Sequence, residues 1–294
     1  MQKLICRNSK GQEIKLGNSR PFLLEKIENG ANTSANISVS NNLGDGVSID
    51  DISIKERLLP VSAAIYAKNK EDLELKRAYL TSLFNPRLGE MEFIYTNNAL
   101  TRRVKGVVQD ITFQTPVGLM QKFLIQLLTP SPFWMDEFVL KEEVALWVGD
   151  FEFTLEISNE GIEMGHRVSN LICNVINNGD IECGMKIQFK ALATVDNPSL
   201  FNVNTREYIK INRTLEAGDL LEITTEFANK RIELVKSNYE RINVFNWIDL
   251  DSEFLQLEVG DNLFRYDADV GIDNLEMSIY YNPLYLGGVI CNKV

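Results

Sequence analysis

Apolar and polar residues alternate with a period of two along most of this chain, and one short segment breaks the rule. Phe151, Phe153, Leu155 and Ile157 alternate with Glu152, Thr154 and Glu156. Met185, Ile187 and Phe189 alternate with Lys186 and Gln188, and Leu221, Ile223, Thr225 and Phe227 with Glu222, Thr224 and Glu226. Leu255, Leu257 and Val259, then Leu275, Met277, Ile279 and Tyr281, repeat the theme. This period puts one face of each strand in a core and the other in water. Turn-forming residues fall at 177–180, 217–219 and 260–262. Many half-buried strands with regular turns and no long helical pattern predict an antiparallel β-sandwich of jelly-roll type for the second half.

The first half reads as strands around 13–16, 22–26, 54–58 and 61–66, then at Met91–Tyr95, Ile111–Phe113 and Phe123–Leu127. The exception lies among them. Leu73, Leu80, Leu83 and Phe84 recur at helical spacing behind Asn69, a good N-cap, with Asp72 near the positive end of the helix dipole. Asn85-Pro86 stops the helix and Gly89 supplies a turn. The expectation is a β-barrel or sandwich carrying one α-helix. Residues 29–51 differ again, being rich in Asn, Ser, Gly and Asp. Val39 and Val47 flank a turn-forming centre, Asn41, Asn42, Leu43, Gly44, Asp45 and Gly46, which predicts a long hairpin or loop.

Charge divides the chain. Residues 1–136 hold 17 basic against 14 acidic side chains, and residues 137–294 hold 13 against 27. Two domains are therefore expected, 1–136 and 137–294, each long enough to bury its own core. The acidic second half would repel phosphates, and the first lacks a dense basic patch, so specific nucleic-acid binding is not expected. No apolar run is long enough to span a bilayer, and the opening residues have too short an apolar core for a secretory signal, so synthesis and folding in a cytoplasm are expected.

Little in the chain points to catalysis. The single histidine, His166, sits in Gly-His-Arg, which matches no nucleophile or base motif. Asp267, Asp269 and Asp273 lack the glycine and terminal glutamate of an EF-hand loop, and no cofactor or metal is implied. Cys6, Cys173, Cys183 and Cys291 form no Cys-x-x-Cys pair. Cys173 and Cys183 flank an apparent hairpin turn at 177–180, but free thiols are expected in a reducing compartment. Trp147, Trp247, Tyr280 and Tyr285 are the aromatic candidates for stacking on a sugar, although Trp247 follows Phe245 at strand spacing and precedes Ile248, which favours burial over exposure.

The breaking segment carries the most specific signal. Tyr66-Ala67-Lys68-Asn69, the Leu/Arg-rich helix, Asn85-Pro86-Arg87-Leu88-Gly89-Glu90 and Thr129-Pro130-Ser131-Pro132-Phe133-Trp134 together resemble the N-terminal domain of the siphophage distal tail proteins. Asn282-Pro283-Leu284-Tyr285-Leu286-Gly287 is similar to that family's closing segment. The resemblance implies a structural protein without enzymatic activity at the tail tip of a virion, assembled in the bacterial host. It implies a homohexameric ring continuing the tail tube protein, with the tape measure protein or DNA in its lumen. C-terminal domains would project outward to dock a tail-associated lysin, tail fibre or receptor-binding protein. The 41–46 region would belong to an arm that embraces the neighbouring subunit. A carbohydrate-binding tail-tip module recognising wall polysaccharide is the alternative, with Trp147 and Trp247 as its glycan-facing residues.

Overall fold

The computed structural model describes residues 2–28, 34–41, 45–148, 166–169, 172–236 and 238–288; at 145–148 and 166–169 the backbone alone is described. The chain divides into two units, Met1–Glu137 with Leu284–Val294, and Phe138–Pro283. The described closing residues from Leu284 to Gly288 fall in the first unit.

The first unit contains β1 (Lys3–Arg7), β2 (Glu13–Leu16), β3 (Phe22–Ile27), β4 (Ala35–Asn41), β5 (Val47–Ile54) and β6 (Arg57–Tyr66). After the helix α1 (Lys70–Leu83) come β7 (Met91–Thr96), β8 (Thr101–Phe113), β9 (Met120–Thr129) and β10 (Trp134–Asp136). The main sheet runs β2-β1-β7-β8-β9-β6-β3. Its end strands meet only at a bridge between Gly17 and Leu23, so the sheet turns back on itself without closing as a barrel. Alternation selects its inner face. Leu4, Cys6, Ile14, Leu16, Phe93, Tyr95, Phe123, Ile125 and Leu127 are buried in one core.

The helix forms as its sequence dictates. The Asn69 side chain accepts from the Asp72 amide at 2.7 Å, and Asp72 accepts from the Lys68 amide at 2.8 Å. One orphan donor of the first helical turn, the Asp72 amide, is thereby satisfied, and the Asp72 carboxylate reaches back to the amide just before the cap. Leu73, Leu80, Leu83 and the C-cap Phe84 are buried in the sheet's core. Asn85 then accepts from the Arg87 amide at 3.0 Å, opening a 3-10 turn that ends at Gly89, whose φ of +75° favours glycine.

Pro60 behaves differently from expectation. It separates two strand candidates in the sequence, yet β6 runs through it unbroken. On one side the β3 ladder ends at Ile27–Val61, so no strand partner there requires the missing donor.

The second unit contains β11 (Leu140–Val148), β12 (His166–Ser169), β13 (Ile172–Asn177), β14 (Met185–Ala191), β15 (Val195–Asp196), β16 (Ser199–Asn202) and β17 (Tyr208–Lys210). It continues through β18 (Thr214–Leu215), β19 (Leu220–Thr224), β20 (Arg231–Val235), β21 (Arg241–Asn243), β22 (Gly260–Asp267) and β23 (Leu275–Tyr281). One sheet has the order β12-β11-β23-β14-β19-β20-β21 and a second the order β13-β22-β16-β17, with antiparallel ladders throughout. Met185, Ile187 and Phe189 of one sheet and Phe264 and Tyr266 of the other are fully buried, as in a two-sheet sandwich. The expected strand at 151–157 lies outside the described residues.

The segment 177–180 is not a hairpin. β13 pairs with β22 and β14 with β19 and β23, so this turn carries the chain from one sheet to the other. Asn177 anchors the crossing by donating to the Ile181 and Leu257 carbonyls, each at 3.0 Å.

The cap gives the first testable expectation. Asn69→Ala removes a side-chain acceptor from the helix start and lowers stability by about 1 kcal/mol, whereas Asn69→Ser retains most of it. Urea denaturation followed by circular dichroism measures both variants.

Candidate functional site

Two features of the first unit stand out: a ribbon that its own fold leaves uncovered, and a clasp that its last residues close.

The ribbon is β4 paired with β5, a two-stranded sheet of its own. Its register pairs Ile37 with Ile52 and Val39 with Ile49, and skips Asp50, which is bulged out. The bulge has a specific effect. Ile49 and Ile52 are three apart and would point to opposite faces of a regular strand. The extra residue shifts the phase, so Ala35, Ile37, Val39, Val47, Ile49, Ile52 and Ile54 share one face. Asn36, Ser38, Ser40, Ser48, Asp51 and Ser53 occupy the other, and Ser40 donates to Asp50 at 2.8 Å, holding the bulge. Ile37, Val39, Val47, Ile49 and Ile52 are 51% to 61% exposed. An isolated two-stranded ribbon is marginal in water, and a contiguous apolar face of this kind marks an interaction surface. Asn41 pairs with Val47, and Asp45 and Gly46 form the bend before β5. Asn42, Leu43 and Gly44 at the predicted tip lie outside the described residues.

The clasp joins distant parts of the sequence. The closing strand β24 (Leu284–Tyr285) pairs with β10 through Trp134–Tyr285 and Met135–Leu284. Trp134 is buried, with Gly288 against its indole: a Cβ on Gly288 would lie 1.9 Å from Trp134 Cδ2. The Arg102 guanidinium stacks 3.6 Å over the Tyr285 ring and forms an ion pair with Asp136. Tyr285 donates to Asp136 at 3.1 Å. Arg57, itself buried, donates to the Leu286 carbonyl at 2.6 Å, and removal from water lowers its pKa from the usual guanidinium value. The Pro-x-Pro-Phe-Trp exit and the closing segment are thus two halves of one structure. The chain leaves the first unit and re-enters it on adjacent strands.

The remaining sequence candidates are not brought together. Trp147 is on β11, next to the edge strand β12, and its side chain lies outside the described residues. Trp247 is in a 3-10 turn just after β21, the opposite edge of that sheet, half-buried under the Arg213 guanidinium at 5.3 Å. Asp269 pairs with Lys210 at 2.8 Å and accepts from Asn197, and these bonds hold its carboxyl below the usual range. Among the described residues, no group of His, Cys, Asp or Glu is arranged to hold a metal. The His166 side chain and Cys291 lie outside the described residues.

The described thiols are separate and raised in pKa. Cys173 is opposite Phe264 and Cys183 opposite Leu257, so the two do not face each other. Cys6, Cys173 and Cys183 are free. Burial pushes Cys173 up to about 11 and Cys183 to about 12, and raises Cys6 further.

Fold and motifs define a phage tail component of two β-rich units. Residues 9–129 match the phage tail protein RIFT-related domain, and residues 178–285 match the siphovirus-type tail component, C-terminal domain. The chain belongs to the siphophage distal tail protein family. The crystal structure of the distal tail protein of phage SPP1, described as a paradigm of the hub of the adsorption apparatus in phages infecting Gram-positive bacteria, superimposes with a TM-score of 0.70 at 13% identity. That match covers 96% of this chain and 99% of the other. A chain of the phage P2 baseplate in its activated conformation with Ca matches with a TM-score of 0.58 at 10% identity, over 98% and 100% of the two chains. The Sr form of the same baseplate gives the same values. A search of curated protein sequences finds no match.

The clasp gives the second expectation. Gly288→Ala drives a methyl group into the Trp134 ring and destabilises the first unit by about 1–3 kcal/mol. Denaturant titration measures the loss, and hydrogen exchange should rise first at β10 and β24.

Proposed function

We propose that this protein is the structural hub at the distal end of a siphophage tail, acting as a closed hexameric ring that joins the tail tube to the baseplate and adsorption apparatus. It works by assembly and performs no reaction. The observation that carries this reading is the β4–β5 ribbon, whose apolar face is left uncovered by the described residues of the first unit. A neighbouring copy supplies that cover.

Magnitudes favour a ring over a pair held by arms alone. Covering the exposed half of one such aliphatic side chain contributes roughly 1 kcal/mol, so five give roughly 5. Association itself costs about 4–15 kcal/mol. One arm is therefore marginal, whereas in a closed ring each copy both gives and receives an arm and further surface joins the contact. The tip at 41–46 belongs to the same embrace. The ring's lumen would pass the tape measure protein and the DNA without binding either specifically, in keeping with the near-neutral first 136 residues. The tail tube protein on one side, and a tail-associated lysin, fibre or receptor-binding protein on the other, are the expected partners. The protein would reside at the virion tail tip after assembly in the host cytoplasm. Carbohydrate binding by the second unit, with Trp147 and Trp247 as its glycan-facing residues, is the alternative reading.

Light scattering of the purified chain should give the mass of six copies. Ile37→Ser, Ile49→Ser and Ile52→Ser together should dissociate the ring while changing the stability of the isolated chain by no more than about 0.5 kcal/mol per site. A wild-type monomer at high concentration, or a ring indifferent to the three changes, contradicts the reading.

A further inference from the structure

The outer face of the first unit's sheet carries charge in two contrasting states. Alternation along β1, β2 and β7 buries Leu4, Cys6, Ile14, Leu16 and Tyr95, and turns Lys3, Arg7, Glu13, Lys15, Glu92 and Thr96 outward. At one end the charges are matched. Arg7 pairs with Glu13 at 3.1 Å and with Glu92 at 3.3 Å, and Arg103 pairs with the same Glu92 at 3.3 Å.

At the other end the charges are of one sign around a surface cavity. Lys3, beside Thr96 in the β1–β7 register, and Lys15 on β2 line a cavity of about 450 Å³ with Arg20, Asn18, Thr96 and Asn97. Not one residue lining this cavity is an aspartate or glutamate. The Arg20 guanidinium is 5.0 Å from the centre of the Tyr66 ring, which orients it without occupying its fork of donors. Three cations converging from the start of β1, from β2 and from the following loop repel one another, an arrangement that an anion relieves. The amides of Asn18 and Asn97 and the Thr96 hydroxyl add neutral donors.

We propose that this cavity is a docking pocket for the carboxylates of an acidic segment of a partner polypeptide. A nucleic acid fits less well, because its phosphates need a row of free cations along the backbone path. Here the next cation on the face, Arg7, is already held by two glutamates. A compact concave pocket with three charges and several amide and hydroxyl donors suits a short run of Asp or Glu side chains instead. The inference is independent of the ring, since it rests on a surface other than the β4–β5 ribbon.

The test uses the full chain and a fluorescein-labelled hexaglutamate peptide, read by fluorescence anisotropy at low salt. The variant Lys3→Gln, Lys15→Gln and Arg20→Gln is compared with a control of equal charge change, Lys10→Gln, Lys26→Gln and Lys55→Gln. Near-ultraviolet circular dichroism checks that both are folded. The pocket variant should bind the peptide about ten-fold or more weakly and the control less than about two-fold, with unlabelled peptide and inorganic phosphate both competing. Equal weakening in the two variants would show diffuse attraction and overturn the proposal. So would an oligothymidylate of the same charge binding more tightly than the peptide with the same dependence on the pocket residues.

Discussion

A strand with one apolar face must have that face covered, and this requirement organises the whole molecule. In the first unit the sheet covers its inner face by turning back on itself and by laying α1 across the core. In the second, two sheets cover each other, with Phe189, Phe264, Tyr266 and Met277 all removed from water. The β4–β5 ribbon is where the requirement is not met internally. Its seven apolar positions are brought to one face by a bulge at Asp50, at the expense of one interrupted ladder step. A random surface hairpin has no need of such phasing. An apolar face assembled in this way and then left open is what motivates the proposal that a neighbour closes it.

The clasp shows the same logic applied to the chain's path. β10 and β24 are too short to hold together alone, with two register pairs between them. What secures them is the side chains around them: the Trp134 indole against Gly288, Tyr285 under Arg102, and Arg57 on the Leu286 carbonyl. The insertion of the whole second unit between Glu137 and Leu284 is compatible with this, because entry and exit lie on neighbouring strands.

Much of this was legible in the sequence because it is local. Asn69, Asp72, Leu73, Leu80, Phe84 and Gly89 specify the helix and its ends within one window, and the structure uses each as the spacing predicts. Period two specified the sandwich. What was not legible is non-local. The strand Lys3–Arg7 has too little alternation to declare itself before its partners β2 and β7 are known. Pro60 reads as a break until the ladder beside it is seen to end at Val61. The turn at 177–180 reads as a hairpin because nothing local says that β13 and β14 join different sheets. Ile49 and Ile52 appear out of phase until the bulge is placed. Lys3, Lys15 and Arg20 converge only through the fold, and no short motif announces them.

The most direct test of the uncovered ribbon is hydrogen–deuterium exchange across β4 and β5 in dissociated and assembled protein at matched pH and temperature. The account predicts fast exchange in the dissociated chain and strong protection of both strands on assembly, with little change at α1 or in the second unit's core. Assembly that leaves the ribbon as fast-exchanging as before would contradict it, and would move the subunit contact elsewhere.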